Sequence, residues 1–354
     1  MKPEDFASAY TFELPEELIA QHPAPTRDAS RLMVVGEDAI EHHIFRDLPA
    51  FMREGDVLVL NETRVIAARI FGIRAGTGGS VEVLLLHPAD SARYVPNATH
   101  WSALVRPAKR LRTGSIVEFG EHGTAEVVQE FDEGIRTLRF DTGLSFETFL
   151  ERAGRLPLPP YIHNDSEEAQ QRYQTVFAKE PGSVAAPTAS LHFTPELLDT
   201  LRERGVEIVY LTLDVGLGTF RPMKGELLAE HTMHSETYVI PPHTAEALER
   251  AKTEQRRVIA AGTTVVRALE GNIQTHGRIV AGEGSTSIFI RPGFAFQAVD
   301  AMITNFHLPQ STLLVLVSAF AGRERILHAY HEAVTHSYRF FSFGDAMFLT
   351  RRTK

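Results

Sequence analysis

The hydrophobic pattern of this chain changes near residue 156, and the change limits the folds available to it. From about 56 to 150, short apolar or alternating segments such as 81–86 and 124–128 are separated by turns that contain glycine. Segments of this length and spacing predict a small β-barrel or β-sandwich. From about 156 onward, apolar strands alternate with helices, which predicts a sheet with helices packed on it. A chain of 354 residues is also long enough for two domains.

Residues typical of helix starts predict where the helices after residue 156 begin. Thr194 can cap a helix that has Pro195 at its first position. Thr244 is predicted to cap a second helix. Thr263 is predicted to open a third helix, which follows the apolar strand 258–261 and runs through Glu270. In open α/β sheets, ligands bind where loops leave the strand ends. The polar loops of this half are therefore candidate sites.

The segment 303–312 carries the densest group of polar side chains beside an apolar helix. Asn305, His307 and Ser311 precede an apolar run, and Pro309 fits the first position of the helix. Helix starts offer unpaired N–H groups that suit carboxylates, phosphates and other acceptors. A ligand site and a plainly capped core helix with one buried histidine are both compatible with this segment.

Further segments place polar groups beside glycines or small residues at predicted strand ends. Each is also compatible with an ordinary tight turn, although small residues let a ligand approach the backbone closely. The glycines after Asp214 do not make a dinucleotide fingerprint, because the third glycine is absent. The polar and glycine positions are Thr188 and His192 in 183–194, Asp214, Gly216, Gly218 and Thr219 in 212–220, and Asn61 and Arg64 in 59–69.

Two other groups have a more definite chemistry. Thr263 and Thr264 meet a predicted helix start, where an acceptor could bind, and Arg267 is spaced to pair with Glu270 along that helix. The H-x-x-H-x-E segment could supply metal ligands, but no regular helix brings its three side chains together. Direct hydrogen bonds to a substrate or to the backbone are the alternative. The residues of that segment are His231, His234 and Glu236.

Composition narrows the class of protein. The chain has no cysteine, which removes disulfides, thiolate metal sites and thiol nucleophiles. A net charge of −9 disfavours a general nucleic-acid surface, but the local basic run Arg106, Lys109, Arg110 and Arg112 leaves room for one RNA contact. The first residues do not have a signal-peptide pattern, and no apolar stretch is long enough for a membrane span. We predict a soluble, cytoplasmic protein.

Taken together, these segments resemble the S-adenosylmethionine:tRNA ribosyltransferase-isomerase family of queuosine biosynthesis. The similarity extends over nearly the whole chain and keeps the expected order. It is carried by the segments 12–21, 27–32, 173–178, 185–188, 191–193, 215–220, 304–309 and 338–347.

The resemblance implies an α/β main domain with a mixed sheet and packed helices, into which a small all-β barrel is inserted. We place the α/β domain at 1–60 plus 156–354 and the barrel at 61–155. The resemblance also implies transfer and isomerisation of the ribosyl part of S-adenosylmethionine onto 7-aminomethyl-7-deazaguanine at the tRNA wobble position. Epoxyqueuosine forms, and adenine and methionine are released. S-adenosylmethionine is then a co-substrate, tRNA the partner, a prosthetic group is not expected, and the family suggests a monomer.

Residue types and loop positions suggest roles in that reaction. A base is useful beside the sulfonium, and a proton donor is useful as adenine leaves. His192, Asp214 and His307 are the candidate catalytic residues. Aromatic Phe193 and Phe306, with Asn305, are plausible around the wobble base. The predicted substrate-binding residues are Asn61, Arg64, Thr188, Phe193, Gly216, Gly218, Thr219, His231, His234, Glu236, Thr263, Thr264, Arg267, Asn305, Phe306 and Ser311.

One departure from the family pattern keeps alternatives open. Asp214 stands where a histidine commonly precedes the glycine pair, so a catalytically silent tRNA-binding paralogue is one alternative. A metal-dependent hydrolase that uses His231, His234 and Glu236 is a second. A plain S-adenosylmethionine-dependent methyltransferase is a third, and the glycine pattern does not favour it.

Overall fold

The structure, a computed structural model, describes residues 2–216, 223 and 225–352. It divides into two compact units: Met1–Glu62 with Pro160–Ala178 and Pro187–Lys354, and Thr63–Pro159 with Lys179–Ala186. The predicted boundaries at 60/61 and 155/156 lie a few residues from these divisions. Segment 179–186, which we assigned to the α/β domain, belongs to the second unit, because its strand pairs there with residues 63–65.

The secondary structure is numbered in chain order. The strands are β1 (Arg31–Val35), β2 (Ile40–Ile44), β3 (Val57–Asn61), β4 (Thr63–Val65), β5 (Arg69–Arg74), β6 (Ser80–Pro88), β7 (His100–Arg106), β8 (Ile116–Glu118), β9 (Thr124–Glu130), β10 (Ile135–Asp141), β11 (Gly154–Arg155), β12 (Glu180–Ser183), β13 (Glu207–Leu213), β14 (Glu236–Ile240), β15 (Val258–Ala261), β16 (Gly282–Thr286), β17 (Ala301–Asn305) and β18 (Ala346–Thr350). The helices are α1 (Phe146–Ala153), α2 (Glu167–Arg172), α3 (Pro195–Glu203), α4 (Pro242–Thr253), α5 (Thr263–His276), α6 (Thr312–Ala321) and α7 (Arg323–Thr335).

The described part of the first unit contains a nine-stranded mixed sheet. Its order is β16-β14-β13-β3-β15-β17-β18-β1-β2. The four central strands β13, β3, β15 and β17 run parallel, so their carboxyl ends meet at one edge. Every residue of β3, β15 and β17 is buried, as expected of parallel strands covered on both faces. The predicted α/β domain with a mixed sheet and packed helices is confirmed.

Helix α3 shows how the sequence signals work. The Thr194 hydroxyl accepts the Leu197 N–H at 3.1 Å, and Pro195 occupies the first helical position, as predicted. Its apolar residues join the main core with alternate residues of β3, β15 and β17. That cluster includes Leu58, Leu60, Phe193, Leu197, Leu198, Leu201, Ile259 and Ile303.

Three predicted helix boundaries were wrong. Helix α4 begins at Pro242, and the Thr244 hydroxyl inside it donates to the Tyr210 carbonyl at 2.6 Å instead of capping. Helix α6 is capped by Ser311, whose hydroxyl accepts the Leu314 N–H at 3.2 Å, so Pro309 lies before the helix. Helix α5 continues beyond residue 270 to His276.

The second unit contains the predicted barrel. Strands β5, β6, β7, β10, β9 and β8 form an antiparallel series, and the β5–β8 pairing closes it, while β11 adds to β5. Gly72 lies at the closure. A Cβ there would come within 2.7 Å of Val117 Cγ1 and 2.8 Å of the Glu118 carbonyl oxygen, so only glycine permits this approach. The predicted small all-β barrel is confirmed.

In the part of the chain that the structure describes, the helices are all too short or too polar to cross a membrane.

Candidate functional site

The carboxyl edge of the parallel strands collects the polar segments that the sequence singled out. β3 ends at Asn61, β13 leads into Asp214, β15 leads into Gly262 and β17 ends at Asn305. β13 and β15 follow β3 in the chain and pair with it on opposite sides. The direction in which successive strands are added to the sheet therefore reverses at β3. Such a switch point is where open α/β sheets bind ligands.

Asn305 and His192 form a buried hydrogen-bonded chain at this edge. The Asn305 Nδ2 donates to the Phe341 carbonyl at 3.1 Å and lies 3.1 Å from His192 Nε2. Because that amide nitrogen donates to His192 Nε2, the proton of the neutral ring is on Nδ1. His192 Nδ1 can then donate to Ser30 Oγ at 2.7 Å. Asn305 therefore fixes the tautomer of His192.

Burial keeps both predicted catalytic histidines neutral. Desolvation lowers the pKa of His192 to about 3, helped by the charges of Arg339 and Arg27. Desolvation alone lowers the pKa of His307 to about 3. The His307 ring Nε2 lies 2.8 Å from Thr304 Oγ1. Each neutral ring keeps one N–H but is a far weaker acid than an imidazolium, so we propose that both rings position other groups rather than act as general acids. Their place in catalysis stays a prediction.

Four side-chain atoms near this edge are buried and have no hydrogen-bond partner among the described residues. They are Asn305 Oδ1, Ser190 Oγ, Thr264 Oγ1 and Arg267 Nε. Buried polar groups normally find a partner, so these exceptions make this edge a candidate site for a polar ligand.

Gly262 joins two parts of this cluster. Its φ of +101° lies in the region that favours glycine, and it turns β15 into α5. A Cβ at Gly262 would lie 3.5 Å from Thr264 Oγ1 and 3.7 Å from Ala189 Cβ. The short helix Thr188–His192 therefore faces the start of α5, where unpaired N–H groups suit an anion.

Arg267 forms an ion pair that the sequence did not predict. Its guanidinium contacts the Glu236 carboxylate, and each residue is about 5% exposed. Glu270, the predicted partner, instead accepts the N–H groups of residues 297–299, and burial raises its pKa. The Arg267–Glu270 pairing was wrong because Glu236, across the fold at the start of β14, reaches the guanidinium.

The three residues that the hydrolase alternative requires as metal ligands do not converge. Glu236 is occupied by Arg267, and the His231 ring packs edge-on to Phe289 at 5.4 Å. His234 is exposed, and its carbonyl accepts from Arg267 at 3.5 Å. Within the described ranges, these three side chains do not form a group close enough to share an ion. The structure gives no support to the metal-hydrolase alternative.

Comparisons with known proteins identify the family of this chain. A family model described as "Queuosine biosynthesis protein" matches residues 7–349. The chain belongs to this family. A Symbiobacterium thermophilum protein named S-adenosylmethionine:tRNA ribosyltransferase-isomerase is 54% identical, over 97% of this chain and 99% of the relative. A Heliobacterium modesticaldum protein of the same name is 52% identical, over 96% and 98%. The crystal structure of a Thermotoga maritima S-adenosylmethionine tRNA ribosyltransferase is 36% identical, covers 96% of this chain and 99% of that one, and has a TM-score of 0.53.

Both aromatic residues predicted around the wobble base are buried in this structure. Phe193 is fully buried and packs edge-on against Phe45 at 5.1 Å in the main core. Phe306 is fully buried between Tyr330 and Phe340. Neither ring face is accessible to a nucleobase.

The remaining predicted residues fall into three groups. Asn61 and Ser311 have backbone roles: the Asn61 amide bonds both the N–H and the carbonyl of Leu213 at 3.0 and 2.9 Å, and Ser311 caps α6. Thr188, Asp214, Gly216 and Thr263 lie at the carboxyl edge. Arg64 is exposed on β4 in the second unit, and Gly218 and Thr219 lie outside the described residues.

Sequence reasoning did not assign a role to Arg27 and Arg172, which line a small cavity together with His192. Both guanidiniums donate only to backbone carbonyls in the part of the chain described. Burial and the neighbouring charge of Arg172 lower the pKa of Arg27 to about 10. Two adjacent cations without a carboxylate partner favour an anion. Arg27 lies in the segment 27–32, which carries part of the family resemblance. That resemblance was the sequence signal that could have identified Arg27.

Proposed function

We propose that this protein transfers and isomerises the ribosyl moiety of S-adenosylmethionine onto 7-aminomethyl-7-deazaguanine in tRNA. The product is epoxyqueuosine, and adenine and methionine leave. The observation that carries this conclusion is the full-length similarity, at about half identity, to relatives that bear this enzyme name. It favours this reaction over methyl transfer, metal-dependent hydrolysis and a catalytically silent paralogue.

The chemistry defines what the site must do. The glycosidic C–N bond and the C–S bond of S-adenosylmethionine break, and adenine and methionine leave with the electron pairs of those bonds. A new C–N bond forms to the aminomethyl nitrogen, a new C–C bond closes the ribosyl carbons to a cyclopentane ring, and the ribose ring oxygen becomes the epoxide oxygen. The amine and the ribose carbon beside sulfur each lose one proton, of which adenine takes up one and the solvent the other. The sulfonium acidifies hydrogens on the neighbouring ribose carbon, so a base held beside that carbon accelerates the reaction.

The start of α5 is our proposed site for the methionine carboxylate. Its unpaired N–H groups and the Thr264 hydroxyl supply donors, and Gly262 lets the carboxylate approach the backbone. Arg267 lies one turn further along, and Glu236 offsets most of its charge and fixes its position. We therefore assign Arg267 to orientation of the donors rather than to net charge.

Asp214 is our proposed base. It directly follows β13 at the carboxyl edge and is half-buried, so it can meet a ligand that the buried histidines reach only through other groups. Asn305 Oδ1 can accept a hydrogen bond from the substrate, with His192 and Ser30 holding the amide in place.

The wider setting is also a proposal. We propose that the protein acts as a cytoplasmic monomer, without a prosthetic group, with S-adenosylmethionine as co-substrate. We propose the α/β unit as the catalytic domain. The basic run between Arg106 and Arg112 on the inserted barrel would contact the anticodon arm.

One experiment tests the reaction directly. The protein is mixed with S-adenosylmethionine and tRNA that carries the aminomethyl-deazaguanine, and small molecules and nucleosides are measured by mass spectrometry. We expect adenine, methionine and an epoxyqueuosine nucleoside in equal amounts. S-adenosylhomocysteine would indicate a methyltransferase instead. Bound tRNA with no adenine release would favour the silent paralogue.

A substitution tests the proposed base. Asp214→Asn should lower turnover by about two orders of magnitude or more, because general base catalysis contributes that much. Asp199→Asn on the exposed face of α3 is the matched control and should leave turnover unchanged. Near-normal turnover in folded Asp214→Asn protein would remove Asp214 from the chemistry.

A further inference from the structure

A cluster of potential metal ligands lies away from the carboxyl-edge site. His42 on β2, Glu332 on α7 and His336 at the end of α7 each offer a ligand atom within 4.8 Å of the other two. The two imidazole rings are 4.8 Å apart between centroids. In the described ranges, these residues are the one group of histidine and carboxylate side chains that meets this spacing.

We propose that His42, Glu332 and His336 bind a divalent transition metal ion. Two imidazoles and one carboxylate form the ligand set of open zinc and related sites, and imidazole selects Zn²⁺, Co²⁺ or Ni²⁺ over Mg²⁺ or Ca²⁺. The proposal does not depend on the ribosyl transfer proposed above.

The hydrogen bonds around the rings prepare them as ligands. His336 Nδ1 lies 2.9 Å from the Glu332 carbonyl and 3.3 Å from the Glu332 carboxylate, which both accept, so Nδ1 donates and Nε2 is the nitrogen left to bind an ion. The Glu332 carboxylate must then rotate away from Nδ1 to share an ion with Nε2. His42 Nδ1 lies 2.8 Å from the Tyr338 hydroxyl, and a donor Nδ1 leaves its Nε2 free in the same way. A bond from the other ring nitrogen to a carbonyl or hydroxyl is the usual support of a metal-bound histidine.

The spacing requires only a small closure. Ligand atoms in a tetrahedral site with bonds of about 2.0–2.2 Å lie about 3.3–3.6 Å apart, so side chains that are up to 4.8 Å apart must approach by up to about 1.5 Å. His42 and His336 are exposed and Glu332 is half-buried, so rotation of surface side chains provides this movement. The same exposure gives the ion an entry path and leaves positions for water.

Charge sets an upper limit on the affinity. Arg31 lies over the Tyr338 ring at 3.6 Å and donates to the His336 carbonyl at 2.7 Å, so a cation already stands behind the cluster. On the other side, Glu41 pairs with His43 at 3.2 Å. With one carboxylate against this arginine, we expect weaker binding than in a zinc site that has several anionic ligands.

A bound ion would join the edge of the sheet to a helix. β2 is the last strand in the order and pairs only with β1, whereas α7 supplies the other two ligands. An ion that binds the folded state alone shifts the unfolding equilibrium by about 100-fold when its concentration is 100 times the Kd.

The test uses the full chain after treatment with a chelator. Zn²⁺ is titrated by calorimetry and Co²⁺ by its visible absorption, and thermal unfolding is followed with and without Zn²⁺. We expect one equivalent of each ion and a raised Tm. His42→Ala and His336→Ala should each weaken binding by at least about tenfold and abolish the Tm shift. His328→Ala and His331→Ala, which remove exposed histidines of the same helix, should behave like the unmodified protein.

Two results would overturn the proposal. One is the absence of saturable binding of Zn²⁺ and Co²⁺ by the folded protein. The other is unchanged affinity in His42→Ala and His336→Ala proteins that retain the circular dichroism of the parent, because the ion would then be held elsewhere. Because neither side chain is part of the core, both variants are expected to fold.

Discussion

The two buried histidines make the stability of this protein depend on pH in a calculable way. His192 and His307 ionise with an ordinary pKa of 6.5 when unfolded, but burial lowers the pKa of each to about 3 in the folded state. Below pH 6.5 the unfolded chain therefore binds protons that the folded chain does not. Stabilisation is complete above pH 6.5 and is lost as the pH falls towards about 3.

The size of the loss follows from the two pKa values. From about pH 8 to pH 5, the contribution of each histidine to the free energy of unfolding falls by about 2 kcal/mol. The two together lower it by about 4 kcal/mol, which is a large part of a typical free energy of unfolding. The assay is urea unfolding of the purified protein at both pH values. His307→Gln retains a polar group near Thr304 but does not titrate, so its loss over the same interval should be smaller by about 2 kcal/mol.

The change in unfolding free energy between the two pH values is compared between the variant and the parent. The contributions of all other titrating groups cancel in this comparison. His328→Gln, at an exposed position on α7, is the control and should show the full loss of the parent protein. An equal loss in His307→Gln and in the parent would show that His307 is protonated in the folded state. The neutral, positioning role that we assign to this ring would then be refuted.

Three further predictions concern other parts of the fold. Glu236→Gln leaves the Arg267 guanidinium buried without its counter-ion and should cost about 3–5 kcal/mol, measured by urea unfolding; a loss below 1 kcal/mol would mean that solvent reaches the pair. Gly271→Ala places a methyl group against the Thr286 side chain in a buried position and should destabilise by about 1–3 kcal/mol despite the better helix propensity of alanine; a raised Tm would contradict this. Arg110→Glu on the barrel should weaken tRNA binding and flatten its dependence on salt, and an unchanged slope in filter binding would discard the barrel contact.

The parts of the fold that depend on local sequence were predictable. The strands of the barrel alternate and are separated by glycine turns, and Thr194 with Pro195 makes a helix start that needs no distant partner. The carboxyl-edge location of the polar segments followed from strand–helix alternation alone. What could not be read locally was which residue caps a helix. Thr244 is a typical capping residue, but it lies inside α4, where its hydroxyl donates to the Tyr210 carbonyl.

The candidate site was predictable as a set of segments but not as a set of roles. Phe193 and Phe306 stand beside His192 and Asn305 in sequence, but both rings are fully buried and pack on other aromatic rings of the core. Arg267 and Glu236 are 31 positions apart in the chain, and only the packing of α5 on the sheet that contains β14 makes them partners.

The central strand of the large sheet has a consequence for how this chain is made. β3 has no sheet partner close to it in sequence: Val57 pairs with Glu207 and with Val258, and the Asn61 amide bonds Leu213, 152 positions away. During synthesis, β3 leaves the ribosome long before either neighbour exists. For that time its apolar residues and both hydrogen-bonding edges are uncovered, which is the condition that favours aggregation. The nascent chain is therefore expected to need chaperone protection until β15 has emerged, and its sheet to form late and slowly.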